Sequence, residues 1–464
     1  MNKGQIQNSL ARKLFIITLL SGTFTMSISQ SSLSTAYPTL MKFFGVTAPT
    51  IQWLTTGFML IMCIMMPISP WLLNNFSFKK IFLSVVGIFA LGTLIIITAQ
   101  SFPMAMLGRG LEAVGVGVLF PSFQSVLLTI TPESKRGATM GYAGLVMGSA
   151  LASGPIISGI VLNFLKWQGL FVIFLLIMIV IFISGLFNIK DVMPRHKASL
   201  DLISTIYLLG LIGLLYVVNQ AGATKSLSTN LTILLVISIV LTVLFVHRQL
   251  TKKEPLLDLK VMKNFNFDLA AILTGFSYIS LIVVTIIYPL YYQNVLHVSV
   301  LKSGLALVPP AIVLSILNPL TGSLADKIGF KATLITGMSM ITVGWFLLFI
   351  LHFKLSMLPM ILIAILIEGG NAFVMMPATT LGGNSLPEDL IPHGTAIITT
   401  ARQLFGSLGV SLATLILVIT NQNHHLPAND GLVGYQRVFA FFFVIEVIGL
   451  IFAFMIKNTK KASK

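Results

Sequence analysis

Cysteine is almost missing from this chain of 464 residues, where Cys63 stands alone. A single cysteine closes no intrachain disulfide and builds no cysteine metal cluster. Charge is scarce too. Only 9% of the residues are Asp, Glu, Lys or Arg, against about 25% in a soluble domain. Carboxylates are the rarer sign, thirteen against twenty-nine basic residues, and most of them fall in loops or at the ends of apolar runs. No GxxxxGK[ST] loop occurs, and no polar stretch is long enough to be a soluble domain holding one, which argues against ATP-driven work by this chain alone. What fills the chain is apolar: 56% hydrophobic residues and a mean hydropathy of +0.96. That is the composition of a polytopic membrane protein.

A helix crosses a bilayer with about 20 apolar residues. About fourteen such runs are present, near 14–40, 51–73, 80–99, 103–129, 137–163, 168–189, 200–219, 231–248, 267–292, 303–323, 332–351, 356–381, 394–420 and 434–456. The first follows Lys3, Arg12 and Lys13. It is longer than a signal-peptide core and lacks a clear cleavage site, so it counts as a span. Basic residues crowd alternate loops, with Lys79, Lys80, Lys135, Arg136, Lys190, Arg248, Lys252, Lys253, Lys327 and Lys331 on one side and only a few such as Lys42, Lys166 and Lys302 on the other. The bias puts both termini in the cytoplasm and requires an even number of spans. The net charge of +16 is thereby read as topology and inner-leaflet contact, not as a nucleic-acid surface.

Two stretches repeat. Glu112 to Pro121 (EAVGVGVLFP) and Glu368 to Pro377 (EGGNAFVMMP) both run from a glutamate to a proline nine residues on, inside an apolar segment. Pro70–Lys80 (PWLLNNFSFKK) and Gly322–Ala332 (GSLADKIGFKA) follow spans 2 and 10 and share leucine, phenylalanine and lysine at matched places. The reading is an all-α integral membrane protein with a six-helix half at 1–190, an inserted helix pair at 191–260 and a second six-helix half at 261–464. Repeats of this kind, with a site between them near the midplane, are the plan of secondary transporters.

On these motifs the chain resembles the major facilitator superfamily, in its fourteen-span drug:proton antiporter branch. Gly322, Leu324, Ala325, Asp326, Lys327, Gly329, Phe330 and Lys331 match that family's loop signature. Arg109-x-x-Glu112-x-x-Gly115 is similar to its span-4 motif RxxQGxG, with glutamate for glutamine and Ala113 for a glycine. Gly141, Gly144, Gly148, Gly154, Pro155 and Gly159 in span 5 resemble the antiporter motif that ends in GPxxGG, with Ser158 replacing one glycine. Two departures stand out. The first-half loop has Asn74 and Ser77 where aspartate and glycine are usual, and span 1 has Ser29 and Gln30 near the place of a usual aspartate. Proton coupling, if present, must then rest on other carboxylates.

Three carboxylates lie well inside apolar runs: Glu112, Glu368 and Glu446. Burial and a nearby arginine act on a carboxyl in opposite senses, and a group balanced between them can load and release a proton. Glu112 has Arg109 one turn away, so the pair reads as proton-coupling or as a fixed structural ion pair. Glu368 reads as proton-coupling, as a cation-binding group, or as a structural partner of Arg402 in span 13. Glu446, in the last span, reads as neutral and satisfied by backbone. Gln30, Asn371, Met26, Tyr37, Met375, Met376 and Arg402 are the further candidates for substrate binding, since thioethers suit promiscuous apolar pockets and aromatic faces suit cations. Core packing is the alternative for each of these. Asp326, Gly322, Gly329 and Lys331 are expected to gate, Asp326 by charge and helix-cap contacts at the cytoplasmic mouth. Gly154 and Pro155 are expected to kink span 5. Cys63 is expected to pack, and the loop pair His424–His425 lacks further metal ligands.

The resemblance implies a non-enzymatic, proton-coupled exporter of lipophilic, often cationic drugs, dyes and antiseptics. It would work as a monomer in a bacterial cytoplasmic membrane by alternating access, with protons, lipid and small molecules as partners and no cofactor. A dedicated exporter of one metabolite or lipid, and a non-transporting receptor or scaffold, are the other readings.

Overall fold

The computed structural model describes residues 9–195, 199–224, 228–352, 355–423 and 431–457. Every regular element among them is helical. The first six long helices are α1 (Ser9–Phe44), α2 (Trp53–Asn75), α3 (Phe78–Ile97), α4 (Phe102–Ile130), α5 (Arg136–Phe164) and α6 (Trp167–Asn188). Next come α7 (Leu209–Thr224) and α8 (Thr229–Thr251). The last six are α9 (Phe265–Asn294), α10 (Val308–Ile328), α11 (Phe330–Leu351), α12 (Met357–Asn384), α13 (Ile391–Asn423) and α14 (Gly431–Met455).

Thirteen helices among the described residues are long and apolar enough to cross a membrane. The remaining expected span, the seventh, is shorter and comes in two pieces, Leu202–Tyr207 and α7, separated at Leu208. His424 and His425 lie outside the described residues.

Packing repeats along the chain. α1 lies on α5 and α6, α3 on α4 and α6, and α2 on α4. In the second half α9 lies on α13 and α14, α11 on α12 and α14, and α10 on α12. Apolar burial does not drive association in lipid, so such bundles rely on close contact at small residues. Gly92 of α3 and Gly108 of α4 cross so closely that a Cβ on either would meet the other's carbonyl at 2.5–2.6 Å. Gly337 of α11 and Gly370 of α12 do the same at 2.7–2.8 Å.

The two halves meet along two seams that differ. The α5–α10 seam is glycine-lined and closely packed. The α2–α13 seam is thinner, and α7 packs on both of its helices. The inserted pair is tied down by Asp201, which accepts from Arg248 Nε (2.8 Å) and Nη2 (3.0 Å) and is paired with Lys252 Nζ at 3.1 Å. Gln249 donates to the Ser204 hydroxyl at 2.6 Å and accepts from the Leu257 amide at 3.0 Å. The Asp258 amide then donates to His393 Nδ1 of α13 at 3.0 Å. The segment after α8 thereby fastens the inserted pair to the second half.

Candidate functional site

Helix α4 places Arg109 and Glu112 one turn apart on one face, and both are shut inside the first half, 1% and 0% exposed. Arg109 Nη1 donates to Glu112 Oε2 at 2.5 Å, and the Thr93 hydroxyl of α3 donates to Oε1 at 2.7 Å. The Arg109 guanidinium also donates from Nε to the Leu54 carbonyl at 3.3 Å and stacks over Phe58 of α2 at 4.2 Å. Ser29 of α1, in the region where the family's aspartate is missing, faces the Glu112 carboxyl. A buried ion pair is tolerated only with this density of partners, because desolvation of each charge costs several kcal/mol.

Glu368 is also buried, 4% exposed, but among the described residues has no cation beside it. Asn371 Nδ2 donates to its Oε2 at 3.1 Å, and the Ser277 hydroxyl of α9 donates to Asn371 Oδ1 at 2.7 Å. The expected alternative, a pair with Arg402, is not what forms. Arg402 lies in α13 under the ring of Tyr278, 5.9 Å from its centroid. The two charges belong to different helix contacts, and spacing within either helix does not reveal the rotation that separates them.

The methionines do converge. Met26 of α1, Met375 and Met376 of α12, Phe120 of α4 and Leu314 of α10 share one buried cluster that bridges both halves, with Tyr278 packed against it. Tyr37 is not among them. Its hydroxyl meets Thr55 within the first half, where it packs on a separate cluster. Gln30 is half-buried on α1. Cys63 packs with Leu60 and Leu215 as expected. Glu446 is 0% exposed. Its carboxyl oxygens accept no hydrogen bond among the described residues, so the backbone does not satisfy it.

One end of the α5–α10 seam is sealed. Asp326 Oδ1 accepts the Gly137 amide at 2.9 Å and Oδ2 the Ala138 amide at 2.8 Å, capping α5 across the two halves. The partners are backbone amides at a helix N-terminus, where a carboxylate is favoured, and not basic side chains. Gly322 backs onto Gly137, Gly141 onto Asn318 and its carbonyl, Gly144 onto Asn318 and Met376, and Gly148 onto Ser315. These contacts run about 16 Å along α5. Gly329 takes φ 99°, a left-handed turn that ends α10 and starts α11, which explains a glycine there. Lys331 is half-buried in the first turn of α11. Beside the seal, Arg136 donates to the Leu128 and Thr131 carbonyls at 2.7 and 3.2 Å and to Asn384 of α12 at 2.9 Å. Ser125 of α4 bonds Thr395 of α13 at 2.5 Å.

Beyond Gly148 the seam ends. Gly154 turns to α1, where a Cβ would strike Ser31, and Ser31 donates to the Ala150 carbonyl at 3.0 Å. Pro155 lies on the exposed face of a helix that continues through it, and a Cβ on Gly159 would meet nothing within 4 Å. Thr93, Ser277, Tyr278, Asn384 and Thr395 were not marked by sequence reasoning. They are ordinary span residues, and only the helix contacts single them out.

Comparison with known proteins agrees with this architecture. Residues 19–410 match the family profile of the Major Facilitator Superfamily. The lincomycin resistance protein LmrB of Listeria monocytogenes is 34% identical over 456 residues, covering 96% of this chain and 97% of that protein. The uncharacterized MFS-type transporter YcnB of Bacillus subtilis is 34% identical over 471 residues, covering 100% and 99%. The solved proton:xylose symporter XylE superposes with a TM-score of 0.68 at 14% identity, covering 98% of this chain and 97% of that one. At that identity the likeness speaks for the fold alone.

Proposed function

The chain belongs to the Major Facilitator Superfamily, and from that premise we propose that this multi-pass membrane transporter, not an enzyme, is a proton-coupled drug exporter. It exchanges inward-moving protons for lipophilic compounds, cations among them, across a bacterial cytoplasmic membrane. The observation that carries the reading is the Arg109–Glu112 pair, fully buried at membrane depth and held by Thr93, Leu54 and Phe58. A scaffold gains nothing from charges in such a place, whereas a transporter needs a carboxyl that can change its proton occupancy. The 34% identity to a lincomycin resistance protein supports drugs as the cargo.

Glu112 exchanges protons with Arg109 as the alternating partner, and Glu368 receives cationic groups. Met26, Met375 and Met376 supply an adaptable apolar wall. The halves 1–190 and 261–464 rock about the site, with the inserted pair 191–260 riding on the second half. With both termini in the cytoplasm, the Asp326 contact closes the cytoplasmic end of the α5–α10 seam. The transporter acts as a monomer. Proteoliposomes loaded with a lipophilic dye test the reading. Uphill dye movement that follows an imposed pH gradient, and vanishes when the gradient is collapsed, is expected; movement indifferent to the gradient would sink it.

A further inference from the structure

Three arginines are buried among the described residues, and two of them hold several hydrogen-bond partners, although Nη2 of Arg109 has none. Arg109 has a carboxylate, a carbonyl and an aromatic face. Arg136 has two carbonyls and an amide oxygen. Arg402 is the exception. It is 5% exposed, its Nη1 is buried without a partner, and its guanidinium makes no hydrogen bond or ion pair among the described residues. The Tyr278 ring, 5.9 Å away, stands at the outer limit of a cation–π contact. Glu368, in the same half, is engaged by Asn371 instead.

An uncompensated guanidinium inside a bilayer is costly and marks a pathway or a ligand. The position of Arg402 favours a ligand. Tyr278 packs on the cluster shared by both halves, and Leu404, two residues on from Arg402, packs against Cys63 and Leu60 of α2. On the same helix, two residues before Arg402, the buried Thr400 hydroxyl also lacks a partner. The planar fork of a guanidinium matches a carboxylate with two parallel hydrogen bonds, and a phenol ring beside it offers a flat face to an aromatic body.

We propose that Arg402 docks an anionic group of the substrate, so that the transporter takes aromatic amphiphiles bearing a carboxylate, zwitterions included, as well as cations. This rests on the exporter reading only in needing a substrate site between the halves, and it does not depend on proton coupling.

The test is equilibrium binding, with no gradient, to protein in phosphatidylcholine nanodiscs. Three xanthene dyes of similar size serve as probes: anionic fluorescein, zwitterionic rhodamine B and cationic rhodamine 6G. Arg402→Met should weaken fluorescein at least tenfold and rhodamine B less, and leave rhodamine 6G within twofold. Arg402→Lys, which keeps the charge without the fork, should fall between, and it decides the matter if the methionine variant does not fold. Wild type that binds rhodamine 6G but neither carboxylate dye overturns the proposal, as does an equal loss of all three dyes in Arg402→Met. Fluorescein binding that disappears when phosphatidylglycerol is added would assign the site to lipid and also overturn it. Arg402-dependent fluorescein binding without dye transport in vesicles would instead defeat the exporter reading and leave this one standing.

Discussion

Asp326 and Gly137 sit so close that a single methyl group on the glycine would strike the aspartate's Oδ1 and the Gly322 carbonyl. The carboxylate of one half thus caps the first turn of a helix in the other, and the seal depends on both partners.

Asp326→Asn should fold and insert but slow exchange. The amide keeps one acceptor oxygen and turns a donor toward the Gly137 and Ala138 amides, which already donate. The charge–helix interaction lost is about 1–2 kcal/mol, enough to deplete the sealed state roughly five- to thirtyfold and leave the cycle waiting on it. Initial transport rates at matched membrane levels measure this, and unchanged rates would remove Asp326 from the gate.

Gly137→Ala should prevent the seal from closing, because Gly322 contributes backbone and cannot rotate away. Gly159→Ala is the matched control on the same helix, since its Cβ meets nothing, and it should be neutral or slightly stabilising. Spin-label distances between α5 and α10 at this end should lengthen in Gly137→Ala only. An unaltered distance would mean the helices separate without strain.

Much of this architecture was legible in the chain. Hydropathy marks the spans, because a bilayer admits little else, and the Asp326 signature marks the contact of α10 with the start of α5, because a capping carboxylate and a left-handed Gly329 are local requirements. The break at Leu208 was not legible, since the segment is uniformly apolar. Nor was the separation of Arg402 from Glu368. Depth in a span can be counted along the sequence, but helix rotation is set by neighbours such as Tyr278 beside Arg402 and Ser277 beside Asn371 that are distant in the chain. The bridging role of Arg136 shares that cause, for its partner Asn384 is 248 residues away.

The Asp201 network should resist acid. Burial opposes the charge, yet the hydrogen bonds from Arg248, Ser204 and Lys252 outweigh it and hold the carboxyl below the usual carboxylate range. A group held down contributes stability above its unfolded value of about 3.9 and loses it only as pH falls through the folded one. Asp201→Asn should therefore lower the melting temperature by the same amount from about pH 5 to 8, with the gap to wild type narrowing only in stronger acid. A gap that grows or shrinks between pH 5 and 8 would show that another titrating group governs the inserted pair.

Glu112 and Glu368 head the same repeated segment, but their surroundings differ, and the proposed function gives them different work. Glu112 has a guanidinium at 2.5 Å, so its proton can come and go against a charge that stays. Glu368 accepts from the Asn371 amide and has no cation beside it among the described residues, and in the proposed function a substrate cation supplies that counter-charge. Glu112→Gln keeps an oxygen for Arg109 and should preserve substrate binding while abolishing uphill, proton-driven efflux. Glu368→Gln should weaken a cationic substrate more than a neutral one of the same shape. The loss of a buried carboxylate contact is worth on the order of 1–3 kcal/mol, or roughly ten- to a hundredfold in affinity. Binding and vesicle transport of a matched cation and neutral pair, in both variants, separate the two effects. Thermal unfolding of each variant controls for the loss of the ion pair, whose removal can cost several kcal/mol by itself. If Glu112→Gln still drives uphill efflux, or Glu368→Gln impairs both substrates alike, the division of labour fails and the repeated glutamate records only the common origin of the two halves.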